Sequence, residues 1–306
     1  MKKFKLKYYL KQIKKSKELY LLFALPLAWY IIFKYVPIYG LQIAFKRYNP
    51  TLGILGSPWA GFRYFKQFFD SYYCLEVIWN TVKLSLFTLI VGFPIPILLA
   101  LLINEIRSRK LSKMVQNVTY MTNFLSVVVI VSMLNIFSNP AYGLFNRITG
   151  VFGAAPVDFM TKTAFFHPMY VFSNVWQFMG FNAIIYIAAL AGIDPTFYEA
   201  ASIDGASRFQ KIIHISIPCI MTTIIIMFIL RIGNLMTVGF EKVLLMQNSV
   251  NTSTSEIIST FIYKNGIKKG QFSYSTAVGI FNSVINFILL ISANSVSKKV
   301  TKTGLW

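Results

Sequence analysis

Six apolar runs, at residues 19–43, 77–103, 117–137, 168–192, 212–236 and 275–296, constrain this chain more than any other feature of its sequence. Each is close to the ~20 residues that span the hydrocarbon of a bilayer. Inside that hydrocarbon every backbone N–H and C=O must be paired within the protein, and a helix pairs them without help from its neighbours. The expected fold is therefore an all-α polytopic membrane protein with six transmembrane helices. Charge content agrees: 13% of the 306 residues are charged, against about 25% in soluble domains.

Thirty basic and ten acidic residues give a formal charge of +20. In a soluble chain that balance would suggest nucleic acid, but here the basic residues gather at segment ends, where they meet anionic lipid headgroups. Eight lysines crowd residues 2–17 and an apolar run follows Glu18 directly. That run lacks a small-residue cleavage pattern and is longer than a signal-peptide core, so it is expected as an uncleaved first span. With both termini inside, the inner face carries the eight tail lysines, four basic residues between spans two and three, two between spans four and five, and three at the C-terminus. The outer loops carry four, two and four. The bias favours cytoplasmic termini. The expected division is a basic tail over 1–18, a six-span membrane domain over 19–296 and a short tail over 297–306.

Several functions are disfavoured. No Gly-x4-Gly-Lys-Ser/Thr occurs, so ATP, if it drives this protein, must sit on another chain. An ion-coupled secondary transporter, the main alternative, should bury acids in its spans, yet no acid falls clearly mid-span. A membrane enzyme would need an acid or metal cluster; Cys74, Cys219, His167 and His214 show no ligand spacing, and no metal site or disulfide is expected.

One polar stretch, residues 194–218, interrupts the apolar pattern between spans four and five. Asp194 before Pro195 has the form of a helix cap. A short helix carrying Glu199, Ala200, Ala201 and Asp204 should follow, with Gly205 at its end and a second helical run from Arg208 to Pro218. Small alanines beside one free carboxylate suit a docking knob. Glu199-Ala200-Ala201, Gly205, Ile215 and Ile217-Pro218 resemble the EAA signature of binding-protein-dependent ABC importer permeases, with Ile217 in place of the usual leucine. That resemblance implies a type I permease whose cytoplasmic coupling helix sits in a cleft of a separate ATPase. Glu199, Ala200, Ala201, Asp204, Gly205, Ile215 and Pro218 would form the coupling site.

The run Tyr35-Val36-Pro37-Ile38-Tyr39-Gly40 and its continuation through Trp59, Gly61 and Phe68-Phe69 is similar to the N-terminal signature of the LplB-like branch, as are Gly143-x-x-Asn146, Gly239-Phe240-Glu241 and Tyr274-Ser275-x-Ala277. The branch implies an oligosaccharide cargo and a bacterial cytoplasmic membrane. It also implies a second homologous permease in a heterodimer, an ATPase pair holding ATP and Mg, an extracellular sugar-binding protein, and no cofactor on this chain. Candidate cargo contacts are the polar and aromatic residues within spans: Asn174, Trp176, Gln177, Asn182 and Tyr186 in the fourth, Arg231 and Asn234 in the fifth, Asn282 and Asn286 in the sixth. An arginine in a span must snorkel outward, pair, or line an aqueous cavity. The two asparagines either bond neighbouring helices or line the path.

Overall fold

The computed structural model describes residues 15–305; most of the expected basic tail over 1–18 lies outside them. The described residues are helical, with one isolated antiparallel bridge between Lys46 and Trp59. Helix α1 (Lys17–Tyr30) runs through a wide turn into a tight helix over Val36–Phe45. Pro26 interrupts α1, and none of its side chains is buried. An outer segment with α2 (Arg63–Phe69) leads to α3 (Tyr73–Gly92), then α4 (Pro94–Asn104). Pro94 and Pro96 lack amide donors, so the hydrogen-bond ladder is interrupted at Phe93 while Tyr73–Asn104 continues as one long helix. Next come α5 (Arg109–Met121), α6 (Val127–Ser138), α7 (Leu144–Val151) and the long α8 (Thr163–Ala191). Two short helices follow, α9 (Pro195–Ile203) and α10 (Arg208–Lys211), then α11 (Met221–Gly233). The chain closes with α12 (Phe240–Met246), α13 (Ile258–Tyr263) and α14 (Phe272–Thr301).

Two of the expected spans are bent. The run predicted over 117–137 consists of residues Arg109–Phe124 and Val127–Ser138, which meet at 96°. Leu125 is extended there, and Ser126 caps α6 by accepting from the Val129 amide, so the ladder restarts in a new direction. The run over 212–236 bends by 62° beside Pro218. Among the described residues, four helices are long and apolar enough to cross a membrane directly, or six if each bent pair is one span.

Helix α8 is the centre of the bundle, packing on α3, α4 and α5. Its residues Tyr170, Val171 and Val175 close a core with Leu84, Ile130, Val243 and Met246, while Ala183, Tyr186 and Leu190 pack a second core near Ala100 and Ile220. The polar segment between α11 and α14 folds into a series of short helices. Its apolar side chains at 238, 243 and 246 tuck α12 into the first core. The Asn80 amide on α3 donates to the Ser253 carbonyl at 2.8 Å, and Thr81 Oγ1 accepts from the Ile258 amide at 2.9 Å. Those bonds hold residues 253–258 of the segment against α3.

Candidate functional site

Two regions carry functional side chains: the loop over residues 194–218 and a cavity beside α8. The loop is built by capping. Asp194 accepts from the Thr196 amide at 2.9 Å, a bond that also holds its carboxyl below the usual carboxylate range. Pro195 occupies the first helical position, where a missing amide costs nothing. Gly205 then takes φ of +77°, the left-handed conformation that ends a helix, and nothing lies within 4 Å of where a Cβ would project. Ser207 opens α10 with a reciprocal capping box to Gln210.

The two limbs are tied together. The Tyr198 and Ser216 hydroxyls lie 2.9 Å apart, and Lys211 Nζ donates to Ser202 Oγ at 2.6 Å. No residue of α9 or α10 is buried. Glu199, Ala200, Asp204, Gly205 and Pro218 are exposed, and Ala201 and Ile215 are half-buried. Phe197, Ile203 and Phe209 are exposed beside them, Ile203 by 87%. The loop is thus a braced knob with an apolar tip and a carboxylate free of any ion pair among the described residues.

The cavity has a volume of about 290 Å³ and lies between α3, α8 and the end of α11. Ser85 and Thr88 come from α3, Tyr170, Asn174, Phe178 and Asn182 from α8, and Arg231 and Asn234 from the end of α11. The α8 residues recur every four positions, so they stand on one face. A smaller cavity of about 40 Å³ continues along the stripe to Tyr186, sharing Asn182 and Arg231. Among the three options for an arginine in a span, Arg231 takes the aqueous one: it is exposed into both cavities and forms no ion pair among the described residues.

Four of the candidate path residues lie elsewhere. Trp176 is on the opposite face of α8, lining an apolar cleft with Ile130, Phe137 and Met169. Gln177 is 2% exposed and fully engaged: its amide donates to the Leu125 carbonyl at the 96° bend, and its oxygen accepts from Lys242 Nζ at 3.2 Å. Asn286 ties α14 to the chain after α11, accepting from the Met236 amide and donating to Thr237 Oγ1, both at 2.9 Å. Asn282 stands near it with its side-chain oxygen buried and unpartnered. The outer Gly143–Asn146 turn is tightly built. A Cβ on Gly143 would overlap the Phe137 and Asn139 carbonyls, and the Asn146 amide bonds Ser138, Asn139 and Val157.

The sequence reading missed Ser85, Thr88, Tyr170 and Phe178. The four-residue stripe on α8 was the available signal, since Tyr170 and Phe178 extend the register of Asn174 and Asn182. Lys242 was also missed, because its contacts to Gln177 and to the Tyr170 ring, 5.9 Å from its Nζ, lie far away in sequence.

A helical membrane bundle that presents a braced polar knob and encloses a polar cavity defines a transport subunit. Residues 85–302 match the family described as the binding-protein-dependent transport system inner membrane component, and the chain belongs to that family, in its LplB-like branch. It is 41% identical over 294 residues to Protein LplB of Bacillus subtilis, covering 96% of this chain and 92% of that protein. It is 40% identical over 305 residues to YteP of the same organism, a polygalacturonan/rhamnogalacturonan transport system permease, covering 100% and 95%. A chain in the crystal structure of a bacterial alginate ABC transporter, in complex with an alginate pentasaccharide-bound periplasmic protein, superposes with a TM-score of 0.88 at 38% identity, over 96% of this chain and 99% of that one.

Proposed function

We propose that this chain is one of two different permease subunits in an ATP-driven importer of oligosaccharides. It encloses half of the path and receives the power stroke of a separate ATPase pair through residues 194–218. The observation that carries the coupling role is the loop itself: a braced, largely exposed knob with Glu199 free for a basic partner and three bare apolar side chains around it. An unpaired, solvated carboxylate beside exposed Phe and Ile contributes nothing to folding, whereas it suits a cleft in another subunit. The charge distribution supports placing the loop and both termini in the cytoplasm of a bacterial cell. ATP and Mg then belong to the ATPase.

The relatives named above support carbohydrate cargo. An extracellular binding protein would deliver the oligosaccharide to the outer face. Closure of the ATPase dimer, transmitted through the braced loop into α11, would change the shape of the cavity that α11 walls. Asn174, Asn182, Arg231, Asn234 and Tyr186 are the residues assigned to the path, because amide and phenol groups pair with sugar hydroxyls and rings.

The test is an affinity purification of the tagged chain in mild detergent, wild type against Glu199→Lys with Gly205→Asp, read by mass spectrometry and ATPase assay. A second permease and an ATPase should accompany the wild type. The double variant should keep the second permease and lose the ATPase or its cargo-stimulated turnover. If the wild type purifies alone and supports uptake without ATP, the ion-coupled alternative replaces this reading.

A further inference from the structure

The wall of the cavity beside α8 is one aromatic ring thick at Tyr170, and a lysine lies behind it. Thr237, Val238, Gly239 and Tyr170 belong to that wall, and a Cβ on Gly239 would overlap the Tyr170 hydroxyl, so ring and backbone meet with no side chain between them. Behind the ring, Lys242 is 3% exposed, with its Nζ 5.9 Å from the ring centre. Its two polar and aromatic contacts, Gln177 and Tyr170, belong to α8 of the same chain. Its burial is therefore independent of whatever a second subunit brings to the cavity.

The amine is thinly compensated in that position. A lysine carries three donor hydrogens and is almost never fully buried without a paired charge. Lys242 donates to one neutral acceptor, Gln177 Oε1 at 3.2 Å, and faces one ring. Neighbouring Glu241 is exposed, and the only ion pair among the described residues joins Lys264 to Glu256. Under-satisfied burial of this kind raises the free energy of the conformation that encloses the amine. A polar space that would relieve it, lined by Asn174, Asn182 and Arg231, stands on the other side of the Tyr170 ring.

The segment that carries Lys242 is also tied to the rest of the bundle at few points. Residues 234–239 run directly from α11, which follows the 194–218 loop, into α12. Asn286 pins them to α14 at Met236 and Thr237. Further on, Lys242 to Gln177 is the only side-chain hydrogen bond from α12 to α8 among the described residues. The same Gln177 amide donates to the Leu125 carbonyl at the 96° bend. A displacement of α11 thus reaches the wall, the buried amine and the bend through one short segment.

We propose that Lys242 primes this wall to open: its amine is enclosed behind Tyr170 in the present conformation and enters the aqueous path when residues 234–239 part from α8 during transport. The proposal deepens the importer reading above and rests on it. Lys242 is a positioning residue here, since its amine needs no contact with cargo. Any change that satisfies or removes the enclosed amine should slow the cycle.

The experiment uses the whole importer, with its partner permease, ATPase and binding protein. Wild-type complex in nanodiscs is acetylated with acetic anhydride at rest and after trapping with ATP and vanadate, and its peptides are read by mass spectrometry against exposed Lys268. Lys242 should be protected in one state and acetylated on the order of tenfold faster in the other, the change in a two-state population that one charge-assisted hydrogen bond can produce. Equal protection in both states, or equal reactivity, would overturn the proposal. Two variants then test its direction in proteoliposomes. Lys242→Met removes the amine, and Gln177→Glu gives it a carboxylate. Each should lower maximal uptake by a similar factor while leaving the half-saturating cargo concentration unchanged. A bond that served only the fold would be strengthened by the carboxylate and leave uptake intact. Maximal uptake at or above the wild-type level in Gln177→Glu therefore overturns the proposal, even where Lys242→Met does not assemble, and unchanged uptake in an assembled Lys242→Met does the same. Uptake by the wild type without ATP would instead overturn the importer reading, a result distinct from each of these.

Discussion

Helices α1 and α8 are comparable in apolar character and opposite in burial. Along α8 the side chains of Tyr170, Val171, Ala183, Tyr186 and Leu190 are within 3% of full burial, whereas α1 has no buried residue and leaves Leu21 and Leu25 exposed by 77% and 78%. A sequence window scores both as spans. What separates them is the surface each one meets: α8 packs against its own chain, and α1 faces lipid or another subunit. Burial within one subunit thus divides a membrane chain into the part that folds it and the part that assembles it.

That division can be broken or sharpened by substitution. The largest effect is expected at Gly180, where a Cβ would overlap the Thr119 backbone carbonyl and its carbon. The two helices can approach that closely only because no side chain intervenes. Gly180→Val should cost at least about 3 kcal/mol through overpacking, seen as loss of a monodisperse peak in fluorescence-detected size-exclusion chromatography. Gln177→Leu should come next. It leaves the Leu125 carbonyl without its side-chain donor and the buried Lys242 amine without its acceptor. Each orphaned group costs about 1–3 kcal/mol, so the melting temperature in detergent should fall, and Gln177→Glu, which keeps an acceptor for Lys242, should recover part of the loss. The smallest effect belongs to α1. Leu21→Ala with Leu25→Ala should leave the melting temperature of the isolated chain nearly unchanged, within about 0.5 kcal/mol, while reducing recovery of the second permease. A drop as large as that of Gln177→Leu would erase the distinction between the two helices.

How much of this was legible in the sequence depended on whether a residue's role is set by its neighbours in the chain or by distant ones. The loop over residues 194–218 was legible because its parts are local. The Asp194 cap, the turn at Gly205 and the Ser207 box each involve residues within a few positions. Asn174, Asn182 and Arg231 were legible as candidates because polar groups in a span must meet something other than lipid. Gln177 met the same criterion and has a different role, since its partners are Leu125 and Lys242, fifty-two and sixty-five positions away. Trp176, next to it, points to the other face, which residue type alone does not decide. The 96° bend had no sequence signal comparable to the proline pair after α3: Leu125-Ser126 sits inside an apolar run, and only the capping hydroxyl marks it. Ser85 and Thr88 are small polar residues that bond their own helix or stay unpaired, so nothing in α3 marked them as a wall.

Gly205 has a consequence that concerns handedness more than size. Its φ of +77° disfavours L-residues while the space around it is empty. Alanine, aspartate and leucine should therefore be disfavoured there by similar amounts, about 1–2 kcal/mol each, with asparagine the mildest. Packing density would rank the position as tolerant. Chemical synthesis of the loop would reveal the difference: a D-alanine, for which this region of backbone space is the natural one, should fit at residue 205 without strain or collision, and the knob would keep its shape with a mirror-image residue at its apex.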